Sequence, residues 1–280
     1  MKVGVVGLGT MGAGIAQISV AAGHETVGRE VELRLAERGR ATLERYLGRA
    51  VEKGRMTAEE RDAALARLTL TTELDDLAQC DLVIEAIVED LEAKRVVFAE
   101  LDRLTRPDAV LATNTSALSV SEIAEATERP ERVVGMHFFN PAPVLSLVEI
   151  VRARRSSDDA VRKAYEWAER AGKRPVACND TPGFIVNRIL IPLLNDCVRV
   201  LDEAGVPPED LDKAMTNGAG WPMGPCALVD LVGIDIHVHA SDALHAKLAE
   251  DRMAPPERLL AMQAAGKLGR KTGEGFYTYG

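Results

Sequence analysis

The stretch that constrains this chain most runs from Met1 to Glu30. Lys2-Val3-Gly4-Val5-Val6 is a β-branched run long enough for a buried strand, and Gly7-Leu8-Gly9-Thr10-Met11-Gly12 follows it with no spacer. Ala13 to Ala22 reads as a small-residue helix that stops at Gly23, and Glu25-Thr26-Val27 as a second strand leading to the acidic Glu30. Strand, G-x-G-x-x-G, helix, strand and acid stand in the order that a dinucleotide site requires. Gly7 permits the tight turn, Gly9 lets backbone approach a pyrophosphate, and Gly12 lets the helix lie close to the strand. The helix start turns unpaired N–H groups and a positive dipole end toward phosphate, so the whole loop, Leu8, Thr10 and Met11 included, is the expected binding set. Glu30, about twenty residues beyond it, is placed to accept from the ribose hydroxyls of NAD. A bare G-x-G-x-x-G also marks ordinary turns; its flanking elements and the acid make it a cofactor loop here. Gly28-Arg29 stand where an apolar strand end is expected, and Arg29 suits a 2′-phosphate. Glu30 repels that phosphate, so the pair reads as NAD in preference to NADP.

At 280 residues the chain is long for one core and suits two domains. Its 46% hydrophobic and 28% charged residues describe an ordinary globule. With 34 Lys and Arg against 43 Asp and Glu, the net charge of −9 argues against nucleic acid or an anionic membrane as the main partner. Cys80, Cys178, Cys197 and Cys226 are scattered, with no C-x-x-C pair and no His at ligand spacing. They read as buried thiols of a reducing compartment, not as a disulfide set or a zinc site, and no metal is expected. The first strand begins too early for a signal peptide, and no apolar run reaches membrane-spanning length. The expected location is the cytoplasm.

Beyond Glu30 the chain alternates. Val31 to Lys53 is helical in propensity with interleaved Arg and Glu; Gly54-Arg55 breaks it, and Thr57-Ala58-Glu59-Glu60 is a capping box opening a second helix to about Arg67. The pair is expected as a helical hairpin, spanning about residues 31–67, that projects from the sheet as an arm. Leu68 to Thr71, Asp81 to Ile87, Ala109 to Thr113 and Arg132 to Met136 are strand candidates separated by helices, one from about Leu91 to Thr105 and a short one capped by Ser119 or Ser121. Leu145 to Val151, a helix from Asp158 to Ala171, and Arg174 to Cys178 complete the pattern. Such alternation predicts an α/β fold with a doubly wound parallel sheet, whose ligands lie beyond the carboxyl ends of the strands. Glu30, Glu89, Ser116 and His137 all fall at or just past strand ends. At Thr181-Pro182-Gly183 the character changes, and Phe184 to Ala204, Pro208 to Thr216, Cys226 to about Asp251 and Pro256 to Ala265 are helical in pattern. The boundary is placed near Asp180: residues 1–180 form a cofactor domain and residues 181–280 an all-α domain.

Among five histidines, His137 stands out because it ends an apolar strand and begins His137-Phe138-Phe139-Asn140-Pro141. An isolated His there is more often a turn cap. Glu149 changes the balance, because it interrupts Leu147-Val148-Glu149-Ile150-Val151, where a carboxylate is costly unless paired. A buried Glu bonded to an imidazole fixes its tautomer and stabilises imidazolium, as a general base needs. His237, His239 and His245 read as helix-surface residues. Asn187, on the first turns after Pro182-Gly183, is either satisfied by backbone or an amide donor to a substrate carbonyl. Lys53, near the tip of the hairpin, is in reach of a phosphorylated ligand.

Asn114-Thr115-Ser116, Gly135-Met136-His137-Phe138-Phe139-Asn140-Pro141, Pro182-Gly183-Phe184 with Asn187-Arg188, Pro222-Met223-Gly224-Pro225 and Gly269-Arg270-Lys271-Thr272-Gly273-Glu274-Gly275-Phe276-Tyr277 occur in that order across the chain. In these strings the sequence resembles the short-chain L-3-hydroxyacyl-CoA dehydrogenases, including bacterial 3-hydroxybutyryl-CoA dehydrogenases. The resemblance implies a Rossmann-type domain plus a helical domain that forms a homodimer, and an acyl-CoA substrate. It implies His137 as catalytic base with Glu149 as its partner, and Ser116 and Asn187 as substrate contacts. Glu89, Lys94, Ser116, Asn140 and Lys271 match positions around the cofactor, and Lys53 lies near where the arm meets CoA. The sequence departs from the family pattern at Glu30, usually Asp, at Arg29, usually apolar, and at Ala117, where a second serine is common. Two other readings stay open: a dehydrogenase of a free polyol acid on the same scaffold, as in relatives resembling L-gulonate dehydrogenase, and, from a different class, a non-catalytic NAD-binding or structural protein of the crystallin-like sort.

Overall fold

β1 (Lys2–Val6) is buried from Val3 onward, and its chain passes through Gly7 directly into α1 (Thr10–Ala21). The computed structural model describes all residues from Met1 to Gly280. They form two compact units, Met1–Thr181 and Pro182–Gly280.

The first unit is built on one eight-stranded sheet in the order β3-β2-β1-β4-β5-β6-β7-β8. Its strands are β1, β2 (Glu25–Arg29), β3 (Leu68–Thr71), β4 (Leu82–Glu85), β5 (Val110–Thr113), β6 (Val133–Phe138), β7 (Leu147–Arg152) and β8 (Arg174–Asn179). The chain winds outward from β1 through β2 and β3, then returns to β4 on the other side of β1, which makes the β1–β4 boundary the point where strand order reverses. Ligands of doubly wound sheets bind at such a point. The strands are parallel as far as β6, but β7 runs antiparallel to it, and β8 is parallel to β7. The parallel expectation thus holds for six strands and fails for the last two. No helix separates Phe138 from Leu147, and a parallel return needs a crossover that the short connection does not supply.

α2 (Leu33–Glu52) and α3 (Ala58–Leu65) form the hairpin, and Thr57 and Glu60 make both halves of the capping box. The hairpin does not stand free as a projecting arm. Ala36, Gly39, Leu43 and Leu47 recur at helical spacing and are buried, and Leu43 and Leu47 join Leu8, Ile15, Val5 and Ile84 in the main core. α4 (Leu91–Leu104), α5 (Val120–Ala124) and α6 (Asp158–Arg170) are capped by the side chains of Asp90, Ser119 and Ser157 respectively. Trp167 of α6 is fully buried and meets Phe138 edge-on at 6.2 Å, closing the core under the end of β6.

The second unit contains α7 (Val186–Ala204), α8 (Pro208–Gly218), α9 (Pro225–Val232), α10 (Ile234–Leu248) and α11 (Glu257–Ala264). The single helix expected from Cys226 to about Asp251 is two helices. Gly233 adopts φ +102°, which ends α9 and restarts the chain as α10. His237 is not on the surface as expected: it is buried, and its Nε2 lies 2.8 Å from Asn195 Oδ1 on α7. α10 is apolar enough on this side to pack inward, and the Asn195 amide satisfies the ring nitrogen. No helix is long and apolar enough to cross a membrane.

Candidate active site

The glycine loop has the shape of a phosphate cradle. A Cβ on Gly12 would sit 1.7 Å from the Gly7 carbonyl oxygen, and one on Gly7 would sit 2.7 Å from the Ala86 carbonyl oxygen, at φ +87°. The fold itself demands glycine at both. Gly9 is different: a Cβ there would have nothing within 4 Å, so that bare backbone is left for the approach of a ligand. Gly9 caps α1 without a side-chain hydrogen bond, and the first turn holds no acid, which suits an anion. Glu30 joins the loop directly, its Oε1 accepting from the Leu8 N–H at 2.6 Å.

A second cluster lies where β4 and β5 end. Glu85, fully buried at the end of β4, accepts from Lys94 Nζ at 2.6 Å, from the Ile87 N–H at 2.7 Å and from Thr113 Oγ1 at 2.8 Å. The same ammonium lies 3.4 Å from Glu89 Oε2. Glu89 Oε1 in turn accepts from Thr115 Oγ1 and from the N–H groups of Ser116 (2.8 Å) and Ala117 (3.1 Å). Burial pushes the Glu89 carboxyl up, but the Lys94 ammonium and those three donors outweigh it and hold it below the usual carboxylate range. The chain Glu85–Lys94–Glu89 therefore fixes the backbone that carries the exposed Ser116. Downstream, the Asp180 carboxylate accepts from Ser119 Oγ (2.8 Å) and from the N–H groups of Val120 and Ser121, anchoring the other side of that segment.

The third cluster is built on the antiparallel pair. Register places His137 opposite Glu149, with Nδ1 and Oε2 2.6 Å apart and both residues buried. Asn114 Oδ1 accepts from the Phe138 N–H at 3.0 Å, which ties the end of β5 to the end of β6 beside the imidazole. The Phe139 ring lies 4.5 Å from the His137 ring. Lys173 Nζ donates to the carbonyls of Ala142 (2.6 Å) and Leu145 (2.9 Å), holding the loop that carries the exposed Asn140. Burial lowers the Lys173 pKa. With the Nδ1 proton directed at a carboxylate, Nε2 is the basic ring atom, and a cation formed on the ring is neutralised in place.

Residues 2–181 match the family model of the 3-hydroxyacyl-CoA dehydrogenase NAD-binding domain, and residues 183–279 match that of the 3-hydroxyacyl-CoA dehydrogenase C-terminal domain. The chain belongs to the 3-hydroxyacyl-CoA dehydrogenase family. It is 47% identical over 280 residues to a 3-hydroxybutyryl-CoA dehydrogenase of Mycobacterium tuberculosis, covering 99% of this chain and 98% of the other. It is 42% identical to a probable 3-hydroxybutyryl-CoA dehydrogenase of Deinococcus radiodurans, with full coverage of both. The crystal structure of M. tuberculosis FadB2 superposes with a TM-score of 0.96 at 47% identity, covering 99% of this chain and 98% of that one. The (S)-3-hydroxybutyryl-CoA dehydrogenase PaaH1 of Ralstonia eutropha gives 0.96 at 38% identity, over 100% and 99%. As a family member the chain is an NAD-dependent oxidoreductase, and the glycine loop fits that coenzyme.

The residues singled out in the sequence gather in part. Gly7 to Gly12 join Glu30; Glu89 and Lys94 join Ser116; His137 joins Glu149, with Asn140 in the loop beyond. Lys53, exposed at the C-terminal end of α2, touches none of these. Asn187 is half-buried on the first turn of α7, and Lys271 Nζ is paired with the Asp235 carboxylate, at 2.6 Å from Oδ2, both in the second unit. Sequence reasoning missed Glu85, Thr113, Thr115 and Asp180. Glu85 carried a usable signal: it interrupts an apolar strand as Glu149 does, and a carboxylate in that position needs a partner.

Proposed function

We propose that this chain catalyses the reversible oxidation of a (3S)-3-hydroxyacyl-CoA of short chain, such as 3-hydroxybutyryl-CoA, to the 3-ketoacyl-CoA. The observation that carries the reading is the buried His137–Glu149 pair at the end of β6, in a chain whose glycine loop fits NAD. His137 Nε2 takes the proton of the C3 hydroxyl, and the imidazolium so formed is stabilised by Glu149 through Nδ1. NAD, when bound, supplies the hydride acceptor. Gly7, Leu8, Gly9, Thr10, Met11 and Gly12 would hold its pyrophosphate and Glu30 its ribose, with Glu89, Asn140 and Lys271 as further coenzyme contacts; Lys94, expected among them, is fully buried between Glu85 and Glu89 and acts only through Glu89. Ser116 and Asn187 orient the substrate oxygens, and Lys53 meets the CoA phosphates. Residues 1–180 act as the coenzyme domain and residues 181–280 as the helical substrate and dimerisation domain of a cytoplasmic homodimer.

The test is NADH oxidation with acetoacetyl-CoA, run beside free acetoacetate. Turnover with the thioester alone supports the reading. Turnover with the free acid and none with the thioester moves the function to a dehydrogenase of a non-CoA hydroxy acid. Tight NADH binding without turnover of either substrate makes the chain a binding protein.

A further inference from the structure

The end of β2 carries two opposite charges in consecutive residues, and they are held differently. Glu30 is folded onto the glycine loop: Oε1 accepts from the Leu8 N–H at 2.6 Å and Oε2 from the Val31 N–H at 3.2 Å. Arg29 is tethered sideways, its Nε donating to the Thr72 carbonyl at 3.0 Å just beyond the end of β3. Its two terminal nitrogens make no hydrogen bond and no ion pair, not even with neighbouring Glu30. The backbone beneath is fixed, since the Gly7 N–H donates to the Arg29 carbonyl at 2.9 Å and the Glu30 N–H to the Thr71 carbonyl at 3.1 Å. Gly28 keeps the seam closed; a Cβ there would meet Leu8 Cδ1 at 2.8 Å. Among the acids that follow β3, Glu73 accepts from Thr72 Oγ1 at 3.0 Å and Asp76 from Thr71 Oγ1.

The chemistry of the two groups points to different coenzymes. A carboxylate is an acceptor for a vicinal diol and repels a phosphate in its place. A guanidinium anchored through Nε, with its outer nitrogens unengaged, presents two donors and a full charge to phosphate oxygens. We propose that Arg29 is a ribose 2′-phosphate site held shut by the Glu30 charge, so that a single neutralisation opens this chain to NADP(H). The proposal rests on the reading of the glycine loop and Glu30 as the coenzyme site. Exclusion of the phosphate is electrostatic here, because the receptor group for it is already built and steadied.

The experiment compares the full-length protein with Glu30→Gln and with Glu30→Gln/Arg29→Met. Gln keeps an oxygen for the Leu8 N–H, and Met keeps the aliphatic stem. Dissociation constants for NADH, NADPH and the fragment 2′,5′-ADP are measured by calorimetry, with thermal melting of each protein alongside. Glu30→Gln is expected to tighten NADPH and 2′,5′-ADP at least tenfold, and the second substitution to erase that gain while NADH still binds. A gain that survives Arg29→Met overturns the proposal, since charge removal alone then suffices. So does a folded Glu30→Gln that binds NADH and gains nothing for NADPH. A wild-type protein that binds neither coenzyme overturns the loop reading itself, and the proposal with it. Glu30→Ser, measured in the same way, keeps the test open if the Gln variant melts early.

Discussion

Lys94 Nζ lies 2.6 Å from Glu85 Oε1, and neither side chain is exposed to solvent. Glu85, Lys94 and Glu89 form a chain of alternating charge that leads from the floor of the sheet to the backbone of Ser116. Removing one member of a buried pair leaves an uncompensated charge, which costs about 3–5 kcal/mol. Lys94→Met therefore destabilises strongly, because two carboxylates then face each other. Glu85→Gln is milder, because Glu89 still neutralises the ammonium. The double variant is expected to be more stable than Lys94→Met alone, by about 1–2 kcal/mol in a double-mutant cycle read by urea unfolding. Strict additivity of the two losses would mean that the groups do not communicate.

His137 and Glu149 are expected to be separable from coenzyme binding. Glu149→Gln preserves the shape of the hydrogen bond but supplies no charge to the imidazolium. Turnover is expected to fall by roughly 10²–10⁴, the range of a general-base contribution. His137→Asn is expected to fall at least as far. NADH affinity, followed by fluorescence titration, should stay within about threefold in both, because neither residue belongs to the glycine loop. A matched loss of NADH binding in a folded variant would assign the pair to the coenzyme.

The glycine loop offers a test in which folding and binding part company. Gly12→Ala has no room, with its Cβ 1.7 Å from a backbone oxygen, and should lower the melting temperature by many degrees. Gly9→Ala meets nothing within 4 Å and has an ordinary φ of −63°. Its melting temperature should move little, since an N-cap Gly to Ala exchange costs under about 1 kcal/mol. Its NADH affinity should still drop at least tenfold, because the methyl group occupies the face along which backbone meets pyrophosphate. An unchanged affinity would place the phosphates elsewhere.

Much of this was legible in the chain itself, and the limits have physical reasons. β1, the glycine loop and Glu30 were readable because every local signal agrees there: β-branched strand, obligatory glycines, helix and acid. The value of Glu149 was readable because a carboxylate in an apolar strand demands a partner. Its pairing with His137 was expected, but the cross-strand register that makes the pair was not readable, since it depends on the reversal of strand direction between β6 and β7. Lys94 read as a coenzyme contact, but its ammonium is enclosed between Glu85 and Glu89, an arrangement created by two strand ends far apart in sequence. His237 escaped for a similar reason: its partner Asn195 is brought to it by helix packing, and no spacing on α10 announces that. The break at Gly233 is a local signal of the kind that Glu85 also carries.

The Asn195–His237 contact leads to a prediction on pH. Asn195 Nδ2 faces the carbonyls of Arg252, Met253 and Ala254 at 3.2–3.3 Å, which turns Oδ1 toward His237 Nε2. Nε2 therefore carries the proton, and Nδ1, buried with no hydrogen-bond partner, stays bare. Burial lowers the His237 pKa from 6.5 to about 4. The unfolded chain thus binds a proton between pH 6.5 and 4 that the folded one refuses, so stability from this group is full above 6.5 and declines as pH falls toward 4. The decline should reach about 3 kcal/mol, because each tenfold loss of proton affinity on folding is worth about 1.4 kcal/mol. Trp221 packs on the helical cluster that includes Val238, so in a Trp167→Phe background its fluorescence follows the unfolding of this unit in urea. The wild-type midpoint should drop between pH 7 and 4.5, and His237→Gln, which still donates to Asn195 Oδ1, should flatten that slope. An equal slope in both proteins would assign the acid sensitivity to other groups, of which His24, whose pKa is also lowered chiefly by burial, is the first to replace.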